Sequence, residues 1–325
     1  MAPHPKLSRF QLWTIAASNA VAGAVATACL KLARRIDRNN LANFCGPLMV
    51  RLGPWLREHK IGTANLKAAF PDKSDAEIET ILAGVWDNLG RFFADFAHLD
   101  RLTVRERGLT GVFDIEYSER ALDRFEAMRD SQKPALLFAA HLGNWELPPL
   151  VAHRYGARTT VLYRRPNVPA VADAVIAIRA GTMGTLLPSG IGAPVQLANA
   201  LLDGQAVGML VDQYYKHGVE VEFFGQTTRA NPLLARLARQ VDCPIYGTRV
   251  IRCPGNRFEV DITEPIPPVR DADGQVDIAG TMQAVTAVVE GWVRERPEQW
   301  LWVHRRWRPD DAPAERRKPR PRGSL

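Results

Sequence analysis

Two textures of hydrophobic and polar positions divide the chain. Up to about Leu99 apolar residues return at helical intervals, and after Pro134 they gather into short runs separated by amphipathic segments. The stretch Asn65 to Pro71 closes one predicted helix. Ser74 and Glu77 then stand at capping-box spacing and open another, whose apolar positions Ile81, Leu82, Val85, Leu89, Phe92, Phe93 and Phe96 repeat through Ile78 to Phe96. This helix is expected to pack against the body that follows. The runs Ala135 to Ala140, Thr159 to Tyr163, Thr185 to Leu187, Ala206 to Val211, Pro244 to Ile251 and Phe258 to Ile262 predict strands. Helices are predicted between most of them, at Leu147 to Tyr155, Ala170 to Ala180, Val195 to Leu202 and Pro232 to Gln240. The last has Asn231 as N-cap and Pro232 at its first position. A further helix runs from Ala279 to Arg296. The alternation specifies an α/β fold, a central mixed sheet flanked by helices, preceded by an N-terminal hydrophobic membrane-associating helix.

That N-terminal helix is the least determined element. Phe10 to Leu30 carries no charge, yet alanine and the polar residues Thr14, Ser18, Asn19 and Thr27 dilute it. A membrane anchor, an interfacial or core-packed helix, and a signal peptide all remain open. Lys31, Arg34, Arg35 and Arg38 follow it, so a spanning segment would leave the body in the cytoplasm. The expected organisation is a membrane-associating segment over 1–40, one catalytic domain over 41–308, and a disordered basic tail over 309–325.

With 325 residues the chain buries a substantial core, and its net charge of +7 favours an anionic partner. Nucleic acid is a poor candidate, because the basic run is confined to Arg316, Arg317, Lys318, Arg320 and Arg322, and the body has no DNA- or RNA-binding motif. Cys29, Cys45, Cys243 and Cys253 are scattered in apolar stretches without a C-x-x-C pair, the pattern of reduced core thiols.

The chemistry concentrates in Phe138-Ala139-Ala140-His141-Leu142-Gly143-Asn144-Trp145-Glu146. A buried strand delivers His141 to its carboxyl edge, where open α/β sheets place their sites. Glu146 falls in the first turn of the next helix. Five residues along a continuous helix would splay the two side chains by about 140°, so they meet only if the chain turns at Gly143. The expected unit is His141 as general base with Glu146 as the carboxylate that fixes its tautomer.

Further blocks accompany this motif: Tyr163-Arg164-Arg165-Pro166-Asn167, Gly208-Met209-Leu210-Val211-Asp212-Gln213, Val221-Glu222-Phe223-Phe224-Gly225, and Pro297 to Trp307 with its tryptophans. Together with the Asn65 to Pro71 stretch, and in this order, they resemble the bacterial late lipid A acyltransferases, the lauroyl and myristoyl transferases of the lysophospholipid acyltransferase superfamily. The resemblance runs from about Leu41 to Trp307. It implies an inner-membrane enzyme facing the cytoplasm, an acyl carrier protein thioester as donor with a coenzyme A thioester as the alternative, and an anionic glycolipid, the lipid A precursor, as hydroxyl acceptor. Carried over by motif, His141 is the base, Glu146 its partner and Asp212 a further functional residue. Arg179 is the first choice for a family arginine that holds a phosphate or the oxyanion, with Arg164 next.

No cofactor is required, and no H-E-x-x-H or Cys/His set suggests a metal. A hydrolase is disfavoured by the absence of a G-x-S-x-G elbow. A transferase of the same superfamily with another glycolipid, ornithine lipid or phospholipid acceptor stays open, since the residues that fix the base do not fix the acceptor. Trp300 and Trp302 are expected to face inward, Tyr214 and Tyr215 either to line the acyl pocket or to pack, and His304 to be structural.

Overall fold

The computed structural model describes residues 9–166 and 169–308. The basic tail from Pro309 onward and Asn167 lie outside the described residues. Helix α1 (Arg9–Ala33) leads into α2 (Arg38–Leu52), a 3₁₀ turn (Gly53–Trp55), α3 (Arg57–Ala69) and α4 (Asp75–Ala97). Both halves of the capping box form at Ser74 and Glu77. These hydrogen bonds hold the Glu77 carboxyl down to about 2. Among the described residues no helix is long and apolar enough to cross a membrane.

The body follows as β1 (Ile115–Tyr117), α5 (Glu119–Ser131), β2 (Ala135–Ala139), α6 (Leu147–Arg154), β3 (Thr159–Tyr163), α7 (Pro169–Arg179), β4 (Thr185–Pro188), α8 (Ala193–Leu202) and β5 (Ala206–Leu210). A hairpin of β6 (Val219–Phe223) and β7 (Gln226–Ala230) precedes α9 (Leu233–Gln240), β8 (Ile245–Cys253), β9 (Arg257–Ile262) and α10 (Ile278–Glu295). Every strand read from an apolar run is present. The runs missed β1, and the hairpin, whose strands alternate with polar residues, was legible only as a motif. Helix α9 starts one residue later than expected, with Pro232 and not Asn231 at its N-cap, although Asn231 Oδ1 still accepts from Leu233 N at 3.1 Å just before it.

Seven strands form one mixed sheet in the order β1-β9-β8-β2-β5-β3-β4, in which β8 and β9 are antiparallel and the other neighbours parallel. Successive strand residues point to opposite faces, so Leu136, Phe138, Val207 and Met209 pack with α8, α9 and α10 on one face. The other face meets α5 and α6, with Phe125, Leu147, Leu150, Val151 and Met183 in its cluster. Helix α4 buries Ile78, Leu82, Val85 and Trp86 against the first cluster, with Ile81 and Leu89 packed beside them, whereas Phe93, read as part of the same face, is exposed.

A charged seam ties the N-terminal helices to the sheet. Asp95 of α4 is fully buried and pairs with Arg38 at 3.0 Å and with Arg252 of β8 at 2.7 Å. Two guanidinium partners compensate the desolvation that a lone buried carboxylate would suffer. The four cysteines are free thiols, but only Cys243 is buried and Cys29 is exposed, which corrects the expectation that all pack in the core. Cys29 lies on α1, whose outward side the body leaves uncovered.

Candidate active site

Strands β2 and β5 are neighbours and parallel, yet their outgoing connections leave on opposite faces. After β2 the chain enters α6 on one face, and after β5 and the hairpin it enters α9 on the other. A crevice opens where connections diverge in this way. His141 sits beyond the end of β2 and Asp212 beyond the end of β5, both at its mouth.

The carboxylate that orients His141 is Asp212, not Glu146. Asp212 Oδ1 accepts from His141 Nδ1 at 2.8 Å and Oδ2 from the His141 backbone N–H at 2.8 Å, while Trp300 Nε1 donates to Oδ2 at 2.7 Å. A carboxylate can only accept, so Nδ1 carries the proton and Nε2 is the basic nitrogen. Gln213 Nε2 donates to it at 3.2 Å. Burial by itself would raise the Asp212 carboxyl, but the charge and hydrogen bonds of His141, with His304 nearby, outweigh burial and hold it below the ordinary carboxylate range. Asp212 is therefore a fixed anion beneath the imidazole.

The turn at Gly143 does not pair Glu146 with His141, as was expected; Glu146 bonds Arg179 instead. Gly143 adopts φ +58°, and a Cβ there would lie 2.2 Å from Val250 O, so only glycine fits. The loop is held by Gly143 N–H donating to Gln299 O at 3.0 Å and Leu301 N–H to His141 O at 3.1 Å. Past this turn Glu146 stands at the start of α6, where Arg179 at the end of α7 grips it through two hydrogen bonds, Nε to Oε2 at 2.7 Å and Nη2 to Oε1. The guanidinium also lies 5.7 Å from the Phe96 ring and 5.9 Å from that of Tyr163. Glu146 is thus a carboxylate for Arg179, lining the same cleft as His141.

That cleft measures about 600 Å³, and His141, Glu146, Arg164 and Arg179 all line it. From His141 it extends along the sheet beneath α6, past Ala139, Val161 and Gly208, to Phe125, Thr159 and Met183. Arg164 is exposed at the end of β3. Tyr214 and Tyr215 line the cleft, and the Arg308 guanidinium lies 4.2 Å from the Tyr214 ring centroid. Trp145 wedges between His141 and Phe92, with ring centroids 5.1 and 4.2 Å away. Among the described residues no group of three or more His, Cys, Asp or Glu side chains is arranged to hold a metal ion.

Two contributors, Trp300 and Gln213, escaped the sequence reading. Trp300 and Trp302 are fully buried, as expected, but Trp300 also donates to Asp212. Gln213 was part of a quoted motif without a role, and its position directly after Asp212 was the available signal. His304 donates from Nδ1 to Leu301 O at 2.6 Å, and its buried Nε2 has no partner among the described residues. Burial pushes its imidazole down to about 4, against the pull of Asp212. The buried Arg306 guanidinium feels the same desolvation, falling to about 10.

A comparison with curated proteins gives no match. A family model described as bacterial lipid A biosynthesis acyltransferase matches residues 5–309, which include every residue of the cleft. A paired histidine at a strand edge, with an apolar channel on one side and arginines at its rim, suits acyl transfer, and the match extends over nearly the whole chain: it belongs to the bacterial lipid A biosynthesis acyltransferase family.

Proposed function

We propose that this acyltransferase moves a fatty acyl chain from a thioester, carried by acyl carrier protein, to a hydroxyl of a lipid A precursor at the cytoplasmic side of the inner membrane. The observation that carries this reading is the His141–Asp212 pair at the mouth of a cleft whose depth is apolar and whose rim is cationic. An acyl chain suits the first and an anionic glycolipid the second.

In this reading His141 Nε2 takes the proton of the acceptor hydroxyl as its oxygen attacks the thioester carbonyl carbon. Asp212 stabilises the imidazolium that forms. The tetrahedral intermediate collapses with cleavage of the C–S bond, and the imidazolium returns its proton to the departing thiolate. Gln213 must release Nε2 for the hydroxyl to approach. Arg179, held in place by Glu146, and Arg164 supply guanidinium donors for the oxyanion or a substrate phosphate. Glu146 acts here through Arg179, as a positioning residue.

The transfer is direct, because no Ser, Thr or Cys stands beside His141 in its motif and a thioester is already activated. The first test is lipid mass spectrometry of cells lacking the gene, complemented with wild type or His141→Ala. Lipid A short of one acyl chain, restored only by wild type, is the expected result. An unchanged lipid A with another lipid class altered would move the reading to a different acceptor. A stoichiometric acyl adduct on the protein, discharged by acceptor at the turnover rate, would refute direct transfer.

A further inference from the structure

Helix α2 packs Leu41, Ala42, Gly46, Met49 and Val50 inward and turns a second apolar set outward. Ala42 and Gly46 are buried, and α4 approaches so closely at Gly90 that an added Cβ would lie 2.2 Å from Cys45 O. On the opposite side Phe44, Leu48 and Leu52 follow one another at intervals of four residues, and Trp55 of the 3₁₀ turn extends the stripe. Phe44 is 64% exposed and Trp55 85%. A helix that only packs on its own domain carries polar residues on the side away from the core, and this side is apolar instead. On α1, Val21, Val25 and Leu32 form a second exposed apolar row.

Charge is segregated to the same segment. Residues 1–57 contain eight Lys or Arg and one acidic residue, Asp37, so the net +7 of the whole chain falls within them and the remaining residues balance. No acidic residue occurs between Asp37 and Glu58, and Arg51 and Arg57 flank the stripe on exposed positions. Aromatic and aliphatic side chains bordered by the exposed Arg51 and Arg57, with Glu58 as the one acid beside them in sequence, match the headgroup boundary of an anionic bilayer, where tryptophan finds both an apolar and a polar side.

We propose that the outward face of α2 and the turn after it is a docking surface for anionic phospholipid, with Phe44, Leu48, Leu52 and Trp55 entering the headgroup–acyl boundary and Arg51 and Arg57 meeting lipid phosphates. The proposal rests on the reading of the chain as an enzyme with a lipid acceptor, and adds a contact separate from α1. Helix α4 links this surface to the site, because its inner side receives α2 and its Phe92 stacks on the Trp145 that packs against His141.

The test is co-sedimentation of the full chain with vesicles of phosphatidylcholine alone or mixed with phosphatidylglycerol, beside Phe44→Ser/Trp55→Ser, Arg51→Glu/Arg57→Glu and, as an exposed apolar control on another loop, Val112→Ser. Wild type and Val112→Ser are expected to prefer the anionic vesicles and to lose binding with salt. Each lost cation should weaken partitioning roughly fivefold, and each lost aromatic on the order of tenfold. To separate this face from α1, quenching by brominated lipid is measured in parallel: wild type should show a quenched component that Trp55→Phe lacks. Equal binding by all variants together with identical quenching overturns the proposal. So does conversion of a dimer to a monomer by Phe44→Ser/Trp55→Ser, which would make the stripe an interface between copies. Acyl transfer to detergent-dispersed acceptor is assayed separately: its absence in wild type refutes the enzymatic reading, whereas vesicle binding is read without catalysis.

Discussion

Replacing Gly208 with leucine should shorten the acyl chain that the enzyme accepts. Gly208 lies in the centre of the sheet on β5, opposite Val161 of β3, and it lines the cleft. A Cβ built there meets nothing nearer than Val161 Cγ2 at 3.9 Å, so the backbone tolerates the change and the new side chain extends into the channel. The cleft follows the strands from Tyr163 to Thr159, and four steps at about 3.3 Å give a depth of about 13 Å. An extended hydrocarbon with C–C bonds of about 1.5 Å advances about 1.25 Å per carbon, so roughly ten carbons fit below the mouth. Gly208 stands level with Val161, halfway down, and a leucine there removes roughly five of them. At about 0.8 kcal/mol per buried methylene this is a loss of about 4 kcal/mol for a long chain, or on the order of a thousandfold in kcat/KM. The assay is kcat/KM over saturated acyl thioesters of increasing length, with circular dichroism as the folding control. Wild type should gain about fourfold per carbon until the channel is full, and Gly208→Leu should reach its plateau about five carbons earlier. A folded variant with the wild-type length profile would refute the assignment of the channel.

Glu146 should couple in stability to Arg179 and not to His141: a double-mutant cycle in urea is expected to give about 1–3 kcal/mol between Glu146→Ala and Arg179→Ala and close to zero with His141→Ala, and the opposite result would restore Glu146 as the partner of the base. Asp212→Asn should fold and lose on the order of 10³–10⁴ in kcat, as expected when the carboxylate that fixes an imidazole tautomer becomes an amide; retention of most activity would remove Asp212 from the pair. The His304 imidazole titrates near 4 in the folded chain against 6.5 ordinarily. The unfolded state therefore binds the proton first, so stability is full above pH 6.5 and falls as pH drops toward 4, by roughly 3 kcal/mol. Denaturant midpoints across this range should show a shallower slope for His304→Gln, and an unchanged slope would rule out this group as the source. Gly143→Ala should destabilise the chain by about 1–3 kcal/mol or more, because it combines strained φ with a backbone clash; a melting temperature equal to wild type would contradict the turn geometry.

What the sequence determined by itself was local. The apolar runs at Ala135 to Ala140 and Ala206 to Val211 could only be buried strands, Ser74 and Glu77 could only close a cap on one another, and both forms of order depend on neighbours within a few residues. The same locality made His141 and Gly143 legible as strand-edge chemistry, while Asp212 was legible only through the family motif it stands in, and these blocks together were enough to indicate the family. The partner of His141 was another matter. Glu146 is five residues away in sequence and Asp212 seventy-one, and the sequence distance misled. Only the strand order, with β5 inserted beside β2 after the chain has already built β3 and β4, brings Asp212 under the imidazole and leaves Glu146 to the arginine at the end of α7. The indole of Trp300 joins them from the far end of the chain for the same reason. Hydrogen bonds between strand ends are set by how a sheet is wound, and that winding is decided by the packing of two helical layers on its faces, which no spacing along one strand records.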